Sequence, residues 1–314
     1  MMRKILITGG TGFLGRHIVN AFSDNGDDIT VVSRSIVNDE RVKTVQADLS
    51  YQMPGLDKEG YDIVVHNAGL AHTVPKNEMQ SRRFFEVNIA GTENLLKAIE
   101  ATGRTPKQII FISSVAVYGR DAGSDINEEH PLLGTSPYAR SKIEAEQLIV
   151  NWCRLQNASY YILRLPLIVG KNAPGNLGAM VSAIRKGKYI YIGNNNAQKS
   201  MVLADDVAGF LIDVKGASGV YNLTDGHHPS FADLEQVISQ AFKTRITLKL
   251  PKLPFELYSS IGSLLANKIK LTLPKYAMIQ KILHTLTFSD LKAREELGWK
   301  SRPSTEFIKE KKLN

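Results

Sequence analysis

Lys4-Ile5-Leu6-Ile7-Thr8-Gly9-Gly10-Thr11-Gly12-Phe13-Leu14-Gly15 decides the fold. Its first five residues read as a buried strand, and they pass directly into a glycine-rich turn that opens a helix reaching about Phe22. The glycines fall at positions 9, 12 and 15. A helix N-terminus offers unpaired backbone N–H groups and the positive end of the helix dipole, a seat for a pyrophosphate. Only residues without a side chain let the backbone turn so tightly and let a ligand come so close. No Gly-Lys-Ser/Thr follows, which excludes a Walker-type loop.

The pattern repeats outward from this unit. Ile29–Ser33, Val42–Ala47, Asp62–His66, Gln108–Ser113 and Tyr160–Leu165 read as further strands. Helical periods over Gln80–Ala101 and Pro137–Gln156 separate the later ones, with Ser136 as cap and Pro137 in the first turn. Gln108-Ile109-Ile110-Phe111-Ile112-Ser113 is almost continuously apolar, as a strand covered on both faces should be. Alternating strands and helices predict an α/β fold, a doubly wound parallel Rossmann sheet with right-handed crossovers. After Pro166 the alternation loosens. Short strands (Lys188–Ile192, Gly219–Leu223) and helices (Ala204–Val214, Ser230–Phe242) follow irregularly. The expected division is a dinucleotide-binding domain over 1–166 and a smaller α/β substrate lobe over 167–314, with some segments returning to the sheet.

The chain has 314 residues, 39 Lys+Arg and 31 Asp+Glu, a net charge of +8. Hydrophobic residues at 43% supply a full core and argue against disorder. No run approaches the ~20 apolar residues of a membrane span, and the first apolar run is too short for a signal peptide. One cysteine, Cys153, excludes an internal disulfide and a cysteine-based zinc site, and it reads as a buried hydrophobe. A cytoplasmic protein is expected, without metal and without nucleic acid as partner. The adjacent His227 and His228 do not share a face, which argues against a metal site.

Strand two should end at the adenosine ribose, where an acidic residue would bind both hydroxyls of NAD. Ser33-Arg34-Ser35 stands there instead, and an arginine beside hydroxyls suits a 2′-phosphate, so NADP is favoured over NAD. Asp48-Leu49 is placed for the adenine, and Asn67-Ala68-Gly69 for close passage of the cofactor. His66 and His72 line the expected crevice, where packing or cofactor contact explains them before catalysis does.

Tyr138-x-x-x-Lys142 opens the helix after strand five, and Ser113-Ser114 ends that strand. Residues four apart share a helix face. Strand C-termini in a parallel sheet border the ligand crevice, so the three groups can converge. Oxidising an alcohol requires removal of the hydroxyl proton. A free tyrosine, pKa about 10, is a poor base at neutral pH. A neighbouring ammonium and a positively charged nicotinamide both favour the phenolate. A serine hydroxyl can hold the substrate oxygen.

On these motifs the chain resembles the extended short-chain dehydrogenase/reductase family, in its nucleotide-sugar epimerase/dehydratase branch. Val87-Asn88-Ile89-Ala90-Gly91-Thr92, Ser113-Ser114-Val115-Ala116-Val117-Tyr118-Gly119, Leu163-Arg164-Leu165-Pro166, Asp205-Asp206-Val207-Ala208 and Lys292–Trp299 add to the resemblance, which spans nearly the whole chain. It implies catalytic Ser114, Tyr138 and Lys142 and a homodimer built on the two long helices. It implies cofactor contacts from Gly9, Thr11, Gly12, Phe13, Leu14 and Gly15, from Ser33 and Arg34, and from Asp48, Leu49, Asn67, Ala68, Gly69 and Asn88. Ser113, Tyr138, Lys142, Leu165 and Pro166 complete that set. Substrate contacts are expected from Ser114, Asn176, Leu177, Ile190, Ile192 and Lys199.

Departures narrow the chemistry. Family dehydratases carry an Asp-Glu pair where this chain has Val115 and Ala116, so loss of water at a 4,6-dehydratase site is not expected. Galactose-type epimerases have an acidic residue where Ser33 stands, an asparagine where Leu167 stands and an arginine near Lys199. The segment Lys252–Leu286 resembles members of polysaccharide biosynthesis. The leading expectation is hydride transfer at C4 of a nucleotide-linked hexose, most simply a UDP-hexose, by a 4-epimerase or a 4-ketosugar reductase. An NADPH-dependent reductase of a non-sugar carbonyl, of dihydroflavonol or steroid type, remains open, with apolar Leu167, Ile190 and Ile192 in its favour. A non-catalytic NADP-binding regulator fits less well, because the tyrosine–lysine pair is kept. Leu253–Leu286 interleaves apolar residues with lysines as an interfacial helix does, though packing over the cleft accounts for the same pattern.

Overall fold

A computed structural model describes residues 2–71, 73–192, 196–244, 248–250 and 284–310, with Asn176, 190–192 and 248–250 described through their backbone alone. His72 and the segment 251–283 lie outside these residues.

Seven parallel strands form the central sheet: β1 (Lys4–Thr8), β2 (Asp28–Ser33), β3 (Val42–Gln46), β4 (Ile63–His66), β5 (Gln108–Ser114), β7 (Ser159–Leu165) and β11 (Gly219–Asn222). Their order across the sheet is β11-β7-β5-β4-β1-β2-β3. The chain winds one way from β1 to β3 and the other from β4 outward, so a crevice opens at the C-terminal ends of β1 and β4. In β1, Ile5 and Ile7 face one core and Leu6 the other. Helices on both faces explain why strand residues of either parity are apolar.

On the first face lies α1 (Phe13–Asp24), with Leu14, Ile18, Val19 and Phe22 buried. On the second lie α2 (Glu78–Phe85), α3 (Gly91–Glu100) and α4 (Pro137–Gln156). The helix expected over Gln80–Ala101 is interrupted by a π-helical turn, Glu86–Ala90. The extra residue brings Asn88 into the protein, 2% exposed, where its side chain finds polar partners on two other segments.

Beyond Pro166 come β8 (Leu167–Val169), α5 (Gly175–Arg185), β9 (Ile190–Ile192), β10 (Met201–Leu203), α6 (Ala204–Leu211), α7 (Phe231–Phe242), β12 (Leu248–Leu250), β13 (Leu286–Phe288), α8 (Leu291–Leu297) and α9 (Ser304–Lys309). Three parallel two-stranded pairs, β8 with β10, β9 with β12, and β13 with β6 (Gly123–Ile126), were not expected as pairs. A separate apolar core joins Leu177, Ile184, Met201, Leu234, Ile238 and Phe307. Other late residues belong to the sheet's own core. β11 extends the sheet, and Val207 and Leu211 of α6 and Trp299 after α8 pack with the apolar residues of α1. No helix among the described residues is long and apolar enough to cross a membrane.

Candidate active site

The crevice is a cleft of about 660 Å³ that runs from the glycine turn to the first turn of α4. Gly12 caps α1 with no side-chain hydrogen bond, leaving the first-turn amides open toward the cleft at Phe13 and Leu14. The turn is closed by Gly12 N–H donating to Gly9 O at 3.0 Å. Gly9 has φ +69°, and a Cβ there would stand 2.7 Å from the Ala68 nitrogen. A Cβ on Gly15 would stand 2.0 Å from Gly9 O. Glycine is therefore required where the backbone must form a dinucleotide seat, and an anionic pyrophosphate fits these residues.

Most residues expected at a cofactor line this cleft: Gly9, Thr11, Gly12, Phe13, Leu14, Ser33, Arg34, Asp48, Leu49, Asn67, Ala68, Gly69, Ser113, Tyr138, Lys142, Leu165 and Pro166. Gly15 and Asn88 do not. Gly15 is a packing residue, buried where α1 crosses Gly9. Asn88 accepts from Leu70 N–H at 2.7 Å and donates to Ser141 Oγ at 2.8 Å, so it shapes the wall from behind.

α4 presents Tyr138 and Lys142 on one face. Ser136 caps the helix, accepting from Ala139 N–H at 3.1 Å, and Pro137 occupies its first turn, as the sequence suggests. Burial raises the Tyr138 phenol above its usual pKa, and the Ser114 hydroxyl beside it acts in the opposite direction. Lys142 is 5% exposed, and burial pushes its ammonium down to about 8 against the attraction of Glu146. Its Nζ donates to Ile112 O at 2.8 Å and lies 4.4 Å from the Phe111 ring centroid. The lysine is thus held at the floor of the cleft, and the Ser114 hydroxyl beside Tyr138 favours the phenolate.

Ser113 touches the cleft, yet its hydroxyl turns away and donates to Glu146. Glu146 also pairs with Arg164, at 2.7 Å between Oε2 and Nη2, and Arg164 donates to Tyr118 Oη at 3.0 Å. The Leu163–Pro166 motif is therefore structural at Arg164, a buried charge balanced by a buried carboxylate. The other late motifs also hold the fold together: Asp205 meets His17, Asp206 meets Arg302, and Trp299 Nε1 donates to Thr224 O.

His66 is buried behind the turn, and burial with the nearby Lys142 charge pushes its pKa down to about 3. Ala68 N–H donates to Thr8 Oγ1, which lies 2.7 Å from His66 Nδ1. His66 Nε2 lies 2.9 Å from Thr92 Oγ1, which donates to Asn88 O. That arrangement assigns the neutral Nε2–H tautomer. His66 is a strut between Thr8 of β1 and Thr92 of α3, which agrees with a packing role.

Two residues expected at the substrate stand away from this cleft. Leu177 is 2% exposed in the core of the second lobe, because α5 turns this side of its helix toward α7. Lys199 is not among the residues lining this cleft, and its ammonium donates to His284 O at 2.7 Å. The side chains of Asn176, Ile190 and Ile192 lie outside the described residues. The charged cleft residue that was not expected is Arg83 on α2. Ser81-Arg82-Arg83 reads as a solvated helix face, and only Asp48 and Tyr51, brought in from another segment, turn Arg83 to the wall.

The model of the NAD dependent epimerase/dehydratase family matches residues 5–222. The chain belongs to this family. It is accordingly an enzyme of the NAD-dependent epimerase/dehydratase type. It is 27% identical over 314 residues to a UDP-glucose 4-epimerase of Vibrio cholerae, covering 96% of this chain and 91% of the relative. It is also 27% identical over 316 residues to an N-acetyl-alpha-D-glucosaminyl-diphospho-ditrans,octacis-undecaprenol 4-epimerase of Escherichia coli O157:H7, covering 93% and 89%. Among solved structures, a UDP-glucose 4-epimerase of Thermotoga maritima with UDP-glucose has the same fold, with a TM-score of 0.75, 21% identity and coverage of 98% and 96%. The cleft between glycine turn and α4 lies where an all-parallel sheet whose strand order reverses between β1 and β4 offers a ligand crevice.

Proposed function

We propose that the chain is a 4-epimerase of a diphosphate-linked hexose, with Tyr138 as its acid–base residue. The observation that carries this is the meeting of Ser114, Tyr138 and Lys142 at one end of a cleft whose other parts suit a dinucleotide. Val115 and Ala116 offer no carboxyl group for loss of water, which supports epimerisation over dehydration. The epimerase relatives, one acting on a UDP-sugar and one on a lipid diphosphate-linked sugar, support a diphosphate handle.

A bound nicotinamide supplies the hydride acceptor and donor for C4. Ser114 holds the C4 oxygen, and Tyr138 takes its proton as the carbonyl forms. The ketosugar presents its other face, and Tyr138 returns the proton to the same oxygen. Lys142, held by Ile112 O, keeps a positive charge beneath the site and steadies the ribose. α5 opens beside the cleft at Pro174 without a side-chain cap, and its N-terminus suits the substrate's diphosphate.

A second reading, an NADP-dependent 4-ketosugar reductase, is favoured by Arg34, which lines the cleft at the ribose end with its side chain hydrogen-bonded to no described residue. The cofactor released from freshly purified protein separates the two. Tightly retained NAD supports the epimerase, whose cycle regenerates its own cofactor. A chain that holds no NAD and binds NADPH supports the reductase. A thermal-shift panel of uridine, thymidine and guanosine diphosphates tests the handle, because a bound ligand raises the melting temperature by mass action. No shift at millimolar concentration rejects the nucleotide-sugar substrate.

A further inference from the structure

Lys142 and Glu146 stand four residues apart on α4, so they share a face, and both are buried, 5% and 4% exposed. They meet consecutive residues of β5. The Lys142 ammonium donates to Ile112 O at 2.8 Å, and Glu146 Oε1 accepts from the Ser113 hydroxyl. Ser113 lies beside Arg164 in the β5–β7 register. Both side chains leave the sheet on the α4 side, as Phe111 and Ile162 do two residues earlier. Arg164 donates from Nε to Glu146 Oε1 at 3.1 Å and from Nη2 to Oε2 at 2.7 Å. Its Nη1 turns to Tyr118 Oη, and the group lies 5.0 Å from that ring's centroid.

The apolar core of Phe111, Ala145, Ile149 and Ile162 adjoins this pair. A buried ion pair is weak evidence for stability in such a place, because desolvation offsets most of the attraction. Its carboxylate is the end that acts on Lys142: burial pushes the ammonium down to about 8, and Glu146 opposes that fall. The other ionisable groups around the lysine and the pair are Tyr138 on α4, His66 on β4, Tyr118 after β5 and Glu128 after β6. His66 is neutral, burial raises both phenols, and Glu128 acts on Arg164. The π-helical turn brings only the neutral amide of Asn88 to this part of α4.

We propose that Glu146 is a positioning residue of the active site: held by Ser113 and Arg164, its carboxylate keeps Lys142 charged at the floor of the cleft. This rests on the reading of Lys142 as the working ammonium and assigns the group that maintains it. Arg164 acts through Glu146, by setting how much of its negative charge Lys142 feels.

The test is titration of Lys142 in the full chain, read by NMR of 13Cε-labelled lysine beside the pH profile of kcat/KM. The Lys142 signal is assigned by its loss in Lys142→Arg. Wild type titrates near pH 8. Glu146→Gln leaves the Arg164 cation uncompensated and lowers the midpoint by about one pH unit. Arg164→Met leaves the carboxylate uncompensated and raises it by about one pH unit. Arg164→Lys, which keeps the charge, keeps the wild-type midpoint. Both charge-removing variants break the same ion pair, so loss of scaffolding alone would move them the same way. The double variant Glu146→Gln/Arg164→Met buries no unpaired charge and serves where a single variant does not fold. Its midpoint lies below that of wild type, because Glu146 is the end that acts on Lys142. Shifts of the same sign in the two single variants, or none, would overturn the proposal, as would a wild-type midpoint in the double variant. Opposite shifts that kcat/KM follows support it. Opposite shifts that kcat/KM ignores support the charge relation and reject instead the reading of Lys142 as the working ammonium.

Discussion

Ser113 and Ser114 leave consecutive positions of β5 toward opposite faces of the sheet: the Ser113 hydroxyl donates to Glu146 of α4, and Ser114 stands beside the Tyr138 phenol in the cleft. A strand's period of two makes one serine structural and leaves the other for chemistry. Ser114→Ala should lower kcat by about a hundredfold, the scale of losing a hydrogen-bond donor at a developing oxyanion, with Tm unchanged. Ser113→Ala should retain kcat and cost about 1–2 kcal/mol of stability, because Glu146 loses a buried donor. Steady-state rates and thermal melts of the two variants read the contrast.

His66 gives the fold a pH dependence of its own. Its folded pKa is pushed down to about 3, whereas the unfolded side chain takes a proton near 6.5. The unfolded state therefore binds more protons between those values. The stability contributed by neutral His66 is fully present above about pH 6.5 and is lost as pH falls toward 3, by about 2 kcal/mol at pH 5. Urea melts from pH 7 to pH 5 should show this loss, and His66→Gln should flatten that part of the curve.

Lys142 should set the alkaline limb of activity. Burial brings its pKa to about 8, and the ammonium is the form the reaction uses. On this basis kcat/KM falls as pH rises past about 8. Lys142→Arg, which stays charged, should retain a fraction of the rate and move the limb beyond pH 10. An unchanged limb in that variant assigns it to another group.

Arg34 should discriminate between cofactors. A charge-assisted hydrogen bond to phosphate contributes about 1.5–3 kcal/mol, so Arg34→Ala should weaken NADPH about ten- to hundredfold and leave NADH nearly unchanged. Equal losses for both by calorimetry contradict a 2′-phosphate contact.

The dinucleotide unit was legible because its signals are local. Lys4 to Gly15 holds strand, turn and helix start in one stretch, and the Ser136-Pro137 cap places Tyr138 and Lys142 within the first two turns of α4. The small strand pairs were not legible. Gly123 pairs with Leu286 and Leu167 with Met201, contacts of three or four residues whose partners are remote in sequence. The surroundings of Leu177 and Lys199 were not legible for the same reason. Helical spacing tells that Leu177 is on a face, not which lobe core that face meets, and His284 O reaches Lys199 from far along the chain. The π-helical turn left no mark beyond a polar Asn88 among apolar neighbours, and Arg83 resembled any exposed helix arginine until Asp48 stood beside it.

The central claim is that this site inverts a hydroxyl at C4, and proton NMR of the sugar anomeric region tests it most directly. UDP-glucose and UDP-N-acetylglucosamine, each incubated with the purified protein, should give a second anomeric doublet for the C4 epimer in at least one case. That signal should grow to an equilibrium ratio without net consumption of cofactor, and Tyr138→Phe should abolish it while cofactor binding persists. No epimer from either sugar, together with stoichiometric NADPH oxidation on a 4-ketosugar, would contradict the account.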